Sequence, residues 1–455
     1  MVIRSAMKQL QEYKEVAVIG LGQTGLSCVR FLLNQDVRPE VFDSHDQPKG
    51  LAELHKLDKD LLVHTGPFEI EHLLAMDLLI ISPGVDREQL PLQIAADAGI
   101  PIIGDIELFA WQVTRPVIAI TGSNGKSTVT KLCGDLIAST GKRVAVGGNI
   151  GVPVLDLVNQ DVDCYVLELS SFQLESTSSL APVAATILNV SADHLDRYLD
   201  LHAYVDAKQR IYRHAEHLVV NRDDSLTQPT QRLRDSNILS FGESAHDQDY
   251  AIKGRGDKLA ITRANKTVVK ASELQLQGVH NLTNVQAALA LLEAIHITPQ
   301  EVLPALREFV GLPHRCELIL EHNGVRWIND SKATNVGAAQ AAIQGLRGTT
   351  AGQLVLLAGG DGKGADFRSF SDALQQVDTL ITFGRDGDRI ADLRPDSIRV
   401  KTLEEAVASA AKAAGKQGTV LLSPACASFD MFNNFEHRGH MFRQAVEAHY
   451  AKLAS

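Results

Sequence analysis

The sequence is short of several things, and each shortage excludes something. No apolar run approaches the ~18 residues of a membrane-spanning helix, and the N-terminal MVIRSAMKQLQEYKE lacks the apolar segment of a secretory signal. No long basic run occurs: 44 Lys and Arg face 55 Asp and Glu, a net charge of −11, which argues against non-specific nucleic-acid binding. The five cysteines (Cys28, Cys133, Cys164, Cys316, Cys426) are scattered, odd in number and without CxxC spacing, so neither a disulfide framework nor a cysteine zinc site is expected. Fixed-period repeats and low-complexity segments are also missing. These absences leave the expectation of a soluble cytoplasmic chain without membrane insertion, whose 455 residues allow two to four domains.

What is present is alternation. Short apolar runs such as VAVIG (16–20), LLIIS (78–82), PVIAIT (116–121), CYVLEL (164–169) and AATILNV (184–190) have the continuous hydrophobicity of buried parallel strands. LVLLAGG (354–360), TLITFG (379–384) and TVLLSP (419–424) repeat the pattern, and Ala/Leu-rich stretches with helical periodicity lie between. The alternation predicts an α/β chain of open, mostly parallel sheets with flanking helices. Boundaries near 104–115 and near 312 divide it into domains 1–104, 105–311 and 312–455. The more polar residues 221–275 predict a small antiparallel insertion in the middle domain.

After the strand PVIAI comes Thr121-Gly122-Ser123-Asn124-Gly125-Lys126-Ser127-Thr128. Small residues let successive backbone N–H groups face a phosphate, the lysine adds positive charge, and the hydroxyl that follows suits Mg²⁺. The loop is shorter than the common phosphate-loop spacing, because Ile120 stands where the first glycine would be. A glycine-rich turn with a surface lysine is the plainer alternative; the preceding strand and following helix favour phosphate. Glu168, ending CYVLEL, places a carboxylate at a strand end, where parallel sheets bind ligands. Asp193 and His194 follow another strand, and Lys208 lies in the helical AYVDAKQRIY; alone, either His194 or Lys208 would be ordinary.

The N-terminal segment carries Gly20-Leu21-Gly22-Gln23-Thr24-Gly25 after VAVI, with Asp43 closing the next strand. That is the dinucleotide fingerprint, including an acid suited to a ribose hydroxyl, and it does not say which nucleotide. Residues 1–104 hold 9 basic and 15 acidic residues, so a diphosphate there must rely on backbone amides and a helix dipole. The C-terminal third has three dense polar turns, NDSKATN (329–335), GGDGKG (359–364) and SPACASFD (423–430), the last two directly after strands.

Together with GGNIG (147–151), LELSSFQLE (167–175), LNVSADHLDRY (188–198), AKQRIY (207–212), GLPHR (311–315) and NNFEHRG (433–439), these motifs make the chain resemble the bacterial Mur ligase family over essentially its whole length. The resemblance implies a Rossmann-like N-terminal domain binding a UDP-linked substrate, a central phosphate-loop ATPase and a Rossmann-like C-terminal domain that closes over the site. It implies that Gly122, Ser123, Asn124, Gly125, Lys126, Ser127, Thr128, Asn284, Arg315 and Asp330 contact ATP. Gly22, Thr24, Asp43, Ser82, Asn149 and His194 would contact the UDP-substrate, and Thr334, Lys363, Ser428 and Phe435 would form a D-glutamate pocket. Two Mg²⁺ are implied, one on Ser127 and Glu168, the second on His194 and a Lys208 carbamylated by CO₂, with Lys126, His194, Lys208 and Lys332 as catalytic groups.

NDSKATN and SPACASFD are similar to the branch of the family that adds D-glutamate to UDP-N-acetylmuramoyl-L-alanine in peptidoglycan synthesis, through an acyl phosphate formed with ATP. The DNPR motif of diamino-acid-adding relatives is absent. Val279 in GVHN departs from the polar residue common there. The resemblance further implies small-molecule substrates only and a monomer. A sibling ligase of different amino-acid specificity, a nicotinamide-dependent oxidoreductase and a non-enzymatic nucleotide-binding scaffold are the alternatives; the oxidoreductase leaves the GKST loop unexplained.

Overall fold

The computed structural model describes residues 10–191, 193, 197–229, 237–276, 278–348 and 350–454. Its apolar runs form strands buried at every position, as in VAVI, LLII, VIAIT, CYVLE, LVLLAG and TVLL. Such strands need cover on both faces, which parallel sheets with crossover helices supply. The described residues fall into two units, one within 10–190, 197–241 and 287–302, the other within 191–193, 242–286 and 303–454.

The first unit holds two sheets. Strands β1 (Val16–Ile19), β2 (Glu40–Asp43), β3 (Val63–Thr65), β4 (Leu78–Ile81) and β5 (Ile102–Gly104) are all parallel, in the order β3-β2-β1-β4-β5. The order reverses at β1 and β4, so a crevice opens beyond their carboxyl ends. Strands β6 (Val117–Thr121), β7 (Val144–Gly148), β8 (Cys164–Glu168), β9 (Ala184–Ile187), β10 (His217–Asn221) and β11 (Asn237–Phe241) form a second parallel sheet, ordered β11-β10-β9-β6-β8-β7. One continuous apolar core spans both sheets, with Val18, Ile80 and Ile106 in the same cluster as Ala119, Leu167 and Leu218.

The second unit contains an antiparallel sheet of β12 (Tyr250–Lys253), β13 (Ala260–Arg263) and β14 (Lys266–Lys270), as the polar stretch predicts. One part of that stretch differs: β11 pairs in parallel with β10 and extends the larger sheet. Its exposed Ile238 and neighbouring polar residues give an edge strand little of the buried-strand pattern. The remaining strands, β15 (Glu317–His322), β16 (Val325–Asn329), β17 (Leu354–Gly359), β18 (Thr379–Phe383), β19 (Ile398–Arg399) and β20 (Thr419–Leu422), are ordered β15-β16-β20-β17-β18-β19, with only the β15–β16 pair antiparallel.

Candidate active site

The crevice beyond β1 and β4 is a cleft of about 460 Å³ lined by the glycine-rich turn, Asp43–His45, Ser82–Val85, Gly148–Gly151 and Gln173. A Cβ on Gly25 would sit 1.9 Å from the Gly20 carbonyl oxygen, so the third glycine is needed for helix and strand to approach. Space beside Gly22 is open to 4 Å, and Gly22 is the N-cap of the helix Gln23–Leu33. Ser82 Oγ donates to the Gly20 carbonyl at 2.9 Å. Asp43 accepts from Leu21 N (2.7 Å), His45 N (2.9 Å) and, when that nitrogen carries a proton, His45 Nδ1 (2.8 Å). Burial opposes its charge, yet these donors hold its carboxyl below the usual carboxylate range. Among the described residues the lining includes no Lys or Arg, so an anion there meets amides and a helix N-terminus.

A second cluster forms beyond β6, β8 and β9. Gly125, with φ of 83°, is the N-cap of the helix Lys126–Ser139; that left-handed conformation is the reason for glycine at the turn. Ser123 N donates to the Asn189 carbonyl (2.9 Å), and Asn124 exchanges hydrogen bonds with the Asn189 amide (2.8 and 3.0 Å). Lys126 Nζ donates to the carbonyls of Gly122 and Ser123, both at 2.8 Å. Lys208, only 1% exposed, donates from Nζ to the same Gly122 carbonyl at 3.0 Å and lies 4.4 Å from the Tyr204 ring centre. Two ammonium groups thus converge on one oxygen at the loop.

Glu168 closes β8 and is buried. Its Oε1 accepts from Asn149 Nδ2 at 2.8 Å, while Oε2 is buried without a hydrogen-bond partner. Thr121 Oγ1, at the end of β6, is likewise unpartnered, and Ser127 is buried in the helix's first turn. A desolvated carboxylate oxygen without a donor is costly, and a hard cation is a suitable partner. Among the described residues no group of three or more His, Cys, Asp or Glu forms a metal cage. A Mg²⁺ site built from one carboxylate, one hydroxyl and nucleotide phosphates is of another kind, and these residues fit it. His194 lies outside the described residues.

In the second unit, three polar turns follow the carboxyl ends of adjacent strands β16, β20 and β17. Sequence reasoning missed β16, because VRWIN mixes Arg and Asn with its apolar residues, although Trp327 and Ile328 are fully buried. Asp330 accepts from Cys316 N (3.1 Å) and Ser423 Oγ (2.7 Å), and burial pushes its carboxyl up to about 6. Lys332 Nζ stands 3.7 Å from the Phe435 ring centre, and Lys363 Nζ 5.8 Å from that of Phe429. Ser428 is buried; Thr334 N bonds the Lys332 carbonyl, and Asn284 Nδ2 donates to Asn281.

Arg438 is the residue that sequence reasoning overlooked. Completely buried, it donates to Ser331 Oγ and the carbonyls of Ser331, Cys426 and Ala427 at 2.8–3.3 Å, while Ser331 Oγ donates to the Phe435 carbonyl at 2.9 Å. It ties the turns carrying Lys332, Thr334, Ser428 and Phe435 together. Only its place in NNFEHRG hinted at this.

Residues 14–104 match the family described as Mur ligase MurD-like, N-terminal domain; 120–292 match Mur ligase middle domain, and 314–426 match Mur ligase, glutamate ligase domain. The chain is 49% identical over 459 residues to the UDP-N-acetylmuramoylalanine–D-glutamate ligase of Idiomarina loihiensis, covering 98% of this chain and 99% of the relative. It is 50% identical over 437 residues to the enzyme of that name from Escherichia coli strain K12, covering 95% and 98%. Solved structures share the fold: UDP-N-acetylmuramate-alanine ligase from Thermotoga maritima superposes with a TM-score of 0.58 at 21% identity, covering 95% of this chain and 99% of that one. A pseudomurein peptide ligase type C from Methanothermus fervidus gives 0.60 at 18% identity, covering 96% and 99%.

Proposed function

We propose the chemistry below from one premise: the chain belongs to the Mur ligase family, whose three domain descriptions match most of its length. It is an ATP-dependent ligase that adds D-glutamate to UDP-N-acetylmuramoyl-L-alanine in peptidoglycan synthesis. The observation that carries this reading is near-full-length identity of about half to D-glutamate-adding relatives, on a chain with both a nucleotide cleft and a phosphate loop.

A carboxylate is a poor electrophile, so the alanyl carboxylate attacks the γ-phosphorus of ATP, ADP leaves, and an acyl phosphate forms. The D-glutamate amine attacks its carbonyl carbon, loses a proton, and phosphate departs, leaving the amide. Both transfers concentrate negative charge. Lys126 answers it by exchanging the Gly122 and Ser123 carbonyls for phosphoryl oxygens, with the N-terminus of the helix Lys126–Ser139 beside the phosphates and the Ser123 and Asn124 amides holding the loop to Asn189. Lys332, on the Phe435 ring, provides a second cation on the amino-acid side, with Thr334, Lys363, Ser428 and Phe435 as the glutamate pocket. Asn284, Arg315 and Asp330 are assigned to ATP. Gly22, Thr24, Asp43, Ser82, Asn149 and His194 are assigned to the UDP-substrate.

Mg²⁺, when bound, neutralises phosphate charge. Glu168 and Ser127 would hold one ion, and His194 with a carbamylated Lys208 a second; the carbamate replaces a cation by an oxygen ligand, which Mg²⁺ prefers. Among the described residues no helix is long and apolar enough to cross a membrane, and we place the enzyme in the cytoplasm as a monomer with small-molecule substrates. The test is phosphate release from ATP with UDP-N-acetylmuramoyl-L-alanine and a panel of amino acids. D-Glutamate is expected to stimulate it; stimulation by L-lysine or diaminopimelate instead would refute the assignment. Hydroxylamine is expected to trap the acyl phosphate as a hydroxamate.

A further inference from the structure

The segment after β5 reads as a linker in sequence, yet its short helix Asp105–Ala110 carries two buried carboxylates, Asp105 at 2% and Glu107 at 3% exposure. Burying two acids is costly unless each meets donors. Glu107 Oε2 accepts from the backbone N–H of Ser178 (2.6 Å) and Ser179 (2.9 Å), and Oε1 from Trp111 Nε1 (3.0 Å). Asp105 Oδ2 accepts from Gln173 Nε2 at 3.1 Å, while Oδ1 is buried without a partner. The Gln173 anchor is inside the helix Ser171–Glu175, which starts three residues beyond Glu168, and the Ser178–Ser179 anchor lies just past its end.

Gln173 is itself 2% exposed and lines the nucleotide cleft. Its Oε1 accepts from Ser170 N (3.1 Å) and Ser170 Oγ (3.3 Å), completing a capping box in which Gln173 N donates to Ser170 Oγ (3.2 Å). One amide orientation satisfies all of this. Turned over, the amide would set NH₂ against the Ser170 N–H and its oxygen against the Asp105 carboxylate. A carboxylate only accepts, so it adds a second constraint to the one that Ser170 N–H sets; an amide in its place removes that second constraint and weakens the hold on the orientation.

We propose that Asp105 is a positioning residue for the nucleotide cleft: through Gln173 it fixes a side chain of the cleft lining and the cap of the helix that follows Glu168. The proposal rests on the reading of that cleft as the UDP-substrate site. Three variants test it: Asp105→Asn, the isosteric Gln173→Met, and the double variant, with Asp43→Asn as a control on the cleft itself. Each receives separate KM values for UDP-N-acetylmuramoyl-L-alanine, ATP and D-glutamate, with thermal unfolding alongside.

Asp105→Asn is expected to raise the KM for the UDP-substrate about five- to ten-fold, the worth of one misplaced hydrogen bond. The other two KM values stay within about twofold, and the double variant is no worse than Gln173→Met alone, as two members of one path require. The proposal falls if Asp105→Asn leaves the UDP-substrate KM unchanged while Asp43→Asn raises it. It also falls if all three KM values move with melting temperature, or if the two variants multiply. Should Asp105→Asn fail to fold, Gln173→Met decides: an unchanged KM removes the path. If neither Asp43→Asn nor Gln173→Met moves the UDP-substrate KM, the reading of the cleft fails first.

Discussion

Glu168→Gln should separate stability from function in opposite directions. The side chain is 3% exposed; Oε1 is satisfied by Asn149 at 2.8 Å and Oε2 has no partner. Leaving a buried acceptor unmet costs about 1–3 kcal/mol, with the larger figures for charged groups. Glutamine keeps the shape and the Asn149 bond while removing the charge. Without Mg²⁺ the variant should therefore unfold at the same temperature or a few degrees higher, at roughly 2–4 °C per kcal/mol for a domain of this size. With Mg²⁺ and a non-hydrolysable ATP analogue the order reverses. At a hundred times its dissociation constant a ligand adds about 2.7 kcal/mol to the form that binds it, and the variant should gain little of this. Turnover should fall by about 10²–10³-fold, the loss typical of removing one preorganised electrostatic element. Thermal unfolding with and without Mg²⁺, beside kcat, reads all three. A variant less stable than the parent in the absence of Mg²⁺, yet stabilised by Mg²⁺ to the same extent, would refute the assignment of Glu168 as a ligand.

Three further outcomes are expected. Burial pushes Asp105 up to about 6 from an ordinary 3.8, so its contribution to stability is full below pH 3.8 and is lost as pH rises through 6. The stability of the parent relative to Asp105→Asn, from urea unfolding, should thus decline by up to ~3 kcal/mol from pH 4 to 7; a rise would contradict the sign. Lys208→Ala should abolish turnover, with partial recovery from a short carboxylic acid and none from added CO₂; full activity would remove the carbamate. Arg438→Met takes the donor from the Ser331 and Cys426 carbonyls, while the Ala427 carbonyl keeps Asp361 N and Ser331 Oγ keeps its bond to Phe435; it should cost about 3–5 kcal/mol by urea unfolding, comparable to breaking a buried charged network, with a raised KM for D-glutamate in the surviving fold. Unchanged stability would show that other contacts hold the turns.

Much of this architecture is legible in the sequence because continuous Val, Ile and Leu runs bounded by Gly and Ser have few alternatives to a buried strand. The fingerprint glycines, the phosphate loop and Glu168 are local patterns, and the crevices they form lie at the carboxyl ends of their strands. What escaped is long-range. Asp105 and Gln173 are 68 positions apart, and Arg438 and Ser331 are 107 apart. Nothing in GDIELFAW says that its acids are buried, because exposed acids at a helix start look the same. Likewise β16 and β11 are strands only because a neighbour supplies the ladder, their own polar residues giving little signal.

The enzyme forms an amide between one nucleotide-linked acid and one amino acid. Incubation with ATP, Mg²⁺, UDP-N-acetylmuramoyl-L-alanine and isotopically labelled D-glutamate, followed by mass analysis, tests it most directly. ADP, phosphate and a nucleotide product carrying one labelled glutamyl residue are expected, formed in equal amounts. ATP consumed without label in the nucleotide product, or label entering only from another amino acid, would contradict it.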